Sequence, residues 1–281
     1  MVRFLKYYLS FSLLLTFACK NDSEDVSYDE RKVLASKLWA LENAKHGFNH
    51  DFQGTPKAMT LLESIIKLDS SNADALREIS VPYLKRGIPH EWKPRYDKAV
   101  AHDPETWQPW RGYLYLWFYR DYKKAIADFD ASDTLTDYID YPQGHSVDFW
   151  RGIAYLGLKD YENSIAYLDK HITKETEDSG EDWVELEAFL YRGIAYYEAE
   201  NSEKALVNFN KVIQYFKQSA DAKYYKALVL KEKGNNDEAR LLVNDAMVDF
   251  KAGFYNNRDY VETLRQIYLE DLTDLQNELL E

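Results

Sequence analysis

From about residue 30 onward, apolar side chains return at every third or fourth position, in blocks separated by short polar or glycine-containing breaks. That spacing lays the apolar residues along one stripe of an α-helix. Glycine and proline, 11 and 7 of 281 residues, each stand at about half their usual share. A turn-rich β-sandwich, a collagen-like chain and a disordered tract are therefore excluded in favour of an ordered, mostly helical protein. With 46% hydrophobic and 15% aromatic residues, the blocks can fill a sizeable core.

The blocks repeat. Trp150-Arg151-Gly152-Ile153-Ala154-Tyr155 returns as Tyr191-Arg192-Gly193-Ile194-Ala195-Tyr196, and Trp110-Arg111-Gly112-Tyr113-Leu114-Tyr115 is a third copy. After each comes a turn and a second apolar segment, opening at Asp121, Asp160 and Asn201. These segments resemble tetratricopeptide repeats, helix–turn–helix units of about 34 residues with a small residue at position 8, Tyr at 11, Ala at 20, an aromatic at 24 and Ala at 27. In that register Gly112, Gly152, Gly193 and Ala227 take position 8, Tyr115, Tyr155 and Tyr196 position 11, and Ala205 and Ala239 position 20. Ser164 stands in for Ala at position 20, and the Gly112 unit needs one extra residue to bring Ala125 and Phe129 into line. Trp92 occupies a position that ordinarily holds a small residue.

The resemblance implies an all-α fold, an α-α superhelical solenoid of about five to six hairpins over residues 30–252. The small residues would let the two helices of a hairpin approach closely, with position 8 facing position 20. No hairpin buries its apolar face alone, so stability comes from stacking. Gly112 to Gly152 and Gly152 to Gly193 are 40 and 41 residues apart, leaving six or seven extra residues in each interval. Residues 138–144 and the acidic stretch 174–182 are expected to leave the array as loops. Beyond Ala252, Val261, Leu264, Ile267, Leu272, Leu275 and Leu279 suit amphipathic helices capping the last hairpin over residues 253–281.

The resemblance also places a binding groove on the first helix of each hairpin. By register it would be lined by Tyr113, Leu116 and Trp117, then Phe149, Ile153 and Leu156, then Glu187, Leu190, Ile194, Tyr197 and Glu198, then Asp221, Tyr224, Lys231 and Glu232. An aromatic wall with acidic rims suits an extended peptide or an amphipathic helix carrying basic residues. Residues 107–119 are apolar nearly all round, which fits either a fully buried helix or exposed anchors at Tyr113 and Trp117.

The N-terminus carries an address. Arg3 and Lys6 precede an apolar run over residues 7–17, too short for the ~20 residues that cross a bilayer. A basic start, a short apolar middle and a small residue make a signal peptide over residues 1–18. Leu15-Thr16-Phe17-Ala18-Cys19 resembles the lipobox of bacterial lipoproteins, which implies acylation of Cys19, the only cysteine. The alternative is an ordinary cleaved leader with an incidental cysteine. Residues 19–29 then form an acidic tether.

Candidate chemistry is sparse. A formal net charge of −13 speaks against nucleic acid as a partner. No phosphate loop, nucleophile elbow or zinc-protease motif is present. His46 and His50 are four apart, but the glycines around them read as a fraying turn instead of a metal clamp. Asp128, Asp130, Ser132 and Asp133 lack the glycine and glutamate of a calcium loop. The expectation is a non-enzymatic outer-membrane lipoprotein without cofactor or metal, a scaffold that holds another protein or peptide, such as a component of an outer-membrane complex. The competing expectation is a nutrient-capture lipoprotein that binds glycan or peptide for an outer-membrane transporter.

Overall fold

The computed structural model describes residues 27–46 and 53–280. The expected leader, Cys19, most of the expected tether and His50 lie outside them. The described residues contain thirteen α-helices, and an isolated bridge between Arg258 and Val261 is their only β pairing. No described helix is long and apolar enough to cross a membrane.

The chain divides into two compact units, residues 1–79 and 80–281. In the first, α1 (Tyr28–His46) packs on α2 (Pro56–Leu68). Thr55 caps α2 by accepting from the Ala58 N–H, and Pro56 follows at the first helical position, where its missing N–H costs nothing. Ala35, Leu62, Ile65, Ala75 and Ile79 form this unit's core, and α3 (Ala73–Lys85) runs on into the second unit.

The second unit is built from stacked hairpins. After α4 (Pro89–His102) come α5 (Pro104–Leu114) with α6 (Tyr122–Ser132), α7 (Val147–Gly157) with α8 (Tyr161–Ser179), α9 (Leu186–Glu198) with α10 (Ser202–Tyr215), and α11 (Ala220–Glu232) with α12 (Asn236–Lys251). Each second helix packs on the first helix of the next hairpin, so one continuous core runs through the stack. This is the all-α solenoid that the repeats predict.

The small residue at position 8 meets more than position 20. A Cβ on Gly112, Gly152 or Gly193 would sit 2.5–2.6 Å from Phe129, Leu168 or Phe209, the large side chain at position 24. Glycine thus makes room for a large apolar side chain of the partner helix as well as lying close to position 20, where a Cβ on Gly112 would be 3.1 Å from the Ala125 carbonyl oxygen. Ser164, which replaces alanine at position 20, loses nothing by burial because its hydroxyl donates to the Gly152 carbonyl at 2.8 Å.

The extra residue of the Gly112 unit is absorbed inside the helix. Residues Tyr115–Tyr119 form a π turn at the end of α5. In the other hairpins the N-cap N–H of the second helix bonds the carbonyl five residues back (Asp160 to Tyr155, Asn201 to Tyr196, Asn235 to Leu230). Here the same bond, Asp121 to Tyr115 at 3.0 Å, spans six. The wider turn takes up the insertion, and Gly112 still meets Phe129.

The two longer insertions behave unequally. Residues 133–146 leave the stack as a loop with a 3₁₀ turn, Pro142–Gly144, whose Pro142 carbonyl accepts from Trp150 Nε1 at 2.8 Å. The acidic stretch, expected as a loop, is instead largely helical. It has no breaker before Gly180, so α8 continues to Ser179, with Lys174 paired to Asp178 one turn on. Beyond Ala252 only α13 (Leu269–Glu278) is an α-helix; residues 254–268 run irregularly, with Tyr260 and Arg265 at positive φ.

Candidate functional site

The first helices α5, α7, α9 and α11 form the wall that the resemblance marks as a groove, and the chain's own C-terminal segment lies along it. Leaving α12, the segment meets the start of α11, where the Phe254 carbonyl accepts from the Ala220 N–H at 3.0 Å. The Asn256 N–H donates to Asp221 at 2.7 Å, and its side-chain amide donates to the Tyr191 hydroxyl at 3.1 Å. Arg258 then reaches the middle of the wall. Its guanidinium lies 4.6 Å from the Trp117 ring centroid and 5.2 Å from that of Trp150, bonds Glu187 at 3.0 Å, and hydrogen-bonds the Tyr113 hydroxyl. Two aromatic faces and a carboxylate around one guanidinium make a cation–π seat with a charge partner.

Tyr260 marks the tip, with the Lys85 ammonium over its ring. The segment then turns back. Arg120 donates to the Glu262 carbonyl, Thr263, Leu264 and Ile267 are buried, and Arg265 makes a two-point bond to Glu198 at 2.5 and 2.8 Å. Finally α13 packs on α12, and its Glu278 pairs with Lys231.

The groove residues named from the register meet different fates; Leu116, Ile153, Leu156, Leu190 and Ile194 are buried in the core instead of lining a surface. Tyr113 and Trp117 lie at the Arg258 seat. Trp117 is buried, which resolves residues 107–119 toward the interior at that position. Tyr224 is half-buried, and burial together with Asp271, Glu278 and Asp274 pushes its hydroxyl up to about 12. Lys231 is held by Glu278. Tyr197 donates to Glu232 at 2.7 Å. Phe149 does not face the wall's surface; it is fully buried between His145, Trp150 and His171.

At the start of α9 and α11 a cavity of about 270 Å³ lies beside the segment, lined by Glu187, Asp221, Leu186, Leu190 and Phe216 together with Tyr255 and Asn256. Asp221 is 3% exposed. Burial pushes its carboxyl up to about 7, against the hydrogen bonds from the Asn256 and Asp221 N–H groups and with a further push from Glu187.

Two other clusters lie outside the groove, and only the first has a sequence signal, the Arg-Gly pair that recurs at residues 111, 151 and 192. The arginine of each Arg-Gly pair ties hairpins together: Arg111 bonds Asp97 and Asp128, Arg151 bonds Asp130, Asp133 and Asp148, and Arg192 bonds Asp169 and Asn208. The aspartates that superficially look like a calcium loop are therefore arginine partners, and among the described residues no acidic or histidine cluster is arranged to hold a metal. Between the insertions, Ser146 Oγ lies 2.9 Å from His171 Nδ1, His171 Nε2 lies 2.9 Å from Glu185, and Glu185 lies 2.8 Å from His145 Nδ1. The distances are those of a nucleophile–base–acid chain. Ser146, however, is buried and caps α7 by accepting from the Phe149 N–H at 3.1 Å. The chain clasps the two insertions to each other. Burial raises the Glu185 carboxyl, but the bonds from His145 and His171 outweigh it and hold it far below the usual carboxylate range.

Residues 190–253 match the tetratricopeptide repeat family. No curated protein matches the chain. Among solved structures, a tetratricopeptide repeat protein from Parabacteroides merdae is similar in fold, with 14% identity, 93% of this chain and 88% of that one covered, and a TM-score of 0.52. PilW, a type IV pilus biogenesis factor, is 15% identical over 80% of this chain and 94% of its own, with a TM-score of 0.57. Pseudomonas aeruginosa PilF is 17% identical over 82% and 97%, with a TM-score of 0.54. At these identities the likeness is one of fold.

Proposed function

We propose that this chain is a non-enzymatic scaffold of the bacterial cell envelope, moored through an acylated Cys19 and holding another protein along the wall of α5, α7, α9 and α11. One observation carries the reading. That wall already grips a length of irregular polypeptide through backbone bonds, a cation–π seat and ion pairs, at Asp221, Glu187, Trp117 and Glu198. Recognition of extended chain by side-chain pockets and main-chain bonds is the physics of peptide binding. Solenoids of this kind act generally as non-catalytic interaction platforms, and the buried Ser146 argues in the same direction. The leader and lone cysteine supply the address, and the acidic residues after Cys19 the spacer.

Two experiments test the two halves. Fractionation of cells expressing Cys19→Ala should move the protein from the membrane to the soluble fraction; a variant as membrane-bound as the parent ends the lipid anchor. Chemical cross-linking in native membranes should give a discrete protein adduct that weakens in a Tyr197→Ala/Tyr224→Ala variant. The same adducts in the same amounts would remove the wall from the account.

A further inference from the structure

The segment on the wall fits its seat incompletely. Arg258 Nε and Trp117 Nε1 are both buried without a hydrogen-bond partner, and each buried donor left unmade weakens the fit. Asp221 receives only backbone N–H groups, and among the described residues no cation pairs with it. The adjoining cavity of about 270 Å³ has apolar walls at Leu186, Leu190 and Phe216. The segment is also unevenly held. Asn257, Asp259, Tyr260 and Glu262 are exposed, whereas Thr263, Leu264 and Ile267, on the way back, are buried.

We propose that the wall from Trp117 to Asp221 is a binding site for an extended, arginine-bearing segment of a partner protein, and that residues 255–262 of this chain occupy it in the partner's absence. This rests on the scaffold reading and names the chemistry of its ligand. The partner's arginine takes the place of Arg258 between Trp117 and Trp150, against Glu187. A large apolar neighbour fills the cavity, and a second basic group meets Asp221. The chain's net charge of −13 favours the approach of such a segment. A tethered occupant acts at an effective concentration on the order of millimolar. Below that concentration only a partner with contacts that the tip lacks displaces it, which makes the tip a threshold on binding.

The test uses the full chain and a fluorescein-labelled peptide with the sequence of residues 253–262, alongside the same peptide with its arginine replaced by alanine. The wild-type chain should bind the first peptide only near millimolar concentration. Arg258→Ala should bind it at least tenfold more tightly, Glu187→Gln added to that variant should abolish the gain, and the alanine peptide should bind neither. No gain in Arg258→Ala, or equal binding of the alanine peptide, overturns the proposal. Should Arg258→Ala lose its helical circular dichroism, hydrogen exchange on the wild type decides. Millimolar peptide should speed exchange of the amides of residues 255–262 several-fold while residues 263–267 keep their protection; unchanged protection of the tip overturns the proposal. A cross-linked partner in membranes together with failed peptide exchange removes this site and leaves the scaffold standing, whereas peptide exchange without any membrane adduct removes the scaffold reading instead.

Discussion

Replacing the aspartate at position 221 by asparagine should make the protein more stable at neutral pH, by an amount that depends on pH in a defined way. The Asp221 side chain is 3% exposed, and its carboxyl titrates at about 7 in the folded chain against 3.8 ordinarily. Between those values the folded state holds a proton that the unfolded state has released, so stability falls as pH rises through the window. A difference of about 3 in pKa is worth roughly 4 kcal/mol when fully expressed. The penalty is under ~1 kcal/mol at pH 4, about 2 kcal/mol at pH 5, and close to its full value from pH 7 upward. In Asp221→Asn the amide oxygen still accepts from the Asn256 N–H, 2.7 Å away in the parent, and the side chain carries no charge to desolvate. Urea denaturation of parent and variant at pH 4, 5, 6, 7 and 8, followed by circular dichroism, reads the difference directly. Other acids cancel in that comparison. An equal gain at pH 4 and pH 8, or a loss at pH 8, would refute the assignment of a buried, costly carboxylate.

Gly152→Ala should destabilise by about 1–3 kcal/mol through overpacking, because the added Cβ would lie 2.5 Å from Leu168 Cγ; a denaturation midpoint unmoved within error contradicts the close approach. Glu200→Gly should stabilise slightly, up to about 1 kcal/mol. Glu200 holds φ 59° where the equivalent residue of the last hairpin is Gly234, and relief of ~1–2 kcal/mol of left-handed strain exceeds the glycine's ~0.5–1 kcal/mol entropy cost; a lowered midpoint says that Glu200 is not strained. Glu185→Gln should cost about 2–3 kcal/mol, the worth of charge-assisted bonds lost to His145 and His171. Because the folded carboxyl is depressed, its contribution is complete above its ordinary value of 4.5 and fades only in stronger acid; equal thermal stability of parent and variant at pH 6 would show that the clasp carries no energy.

The repeats are legible in the sequence because their constraint is local. A glycine at position 8 and a large side chain sixteen residues on must meet whatever the rest of the chain does, as Gly152 with Leu168 and Gly193 with Phe209 show. The extra residue after Gly112 is visible as a broken spacing, though not that a π turn houses it. The C-terminal segment misleads for a physical reason. Val261, Leu264 and Ile267 are spaced as on a helix, yet burial against a wall supplied by α5 to α11 decides their conformation. The contacts that fix it join residues far apart in sequence, as Arg258 with Glu187 and Arg265 with Glu198 do. The same holds for the His145–Glu185–His171 clasp. No period announces such pairs. The register places Trp117, Glu187 and Asp221 on one wall; it gives no sign that residues 256–258 lie against them.

That returning stretch also changes how the molecule comes into being. A simple array of stacked units can fold behind the ribosome, one unit after another, each needing only its predecessor. Here the seat formed by Trp117 and Trp150 receives its arginine from position 258, and Lys231 its counterion from position 278. The early part of the stack therefore waits, with an acidic and aromatic face open to its surroundings, until residues 258–278 have followed it out.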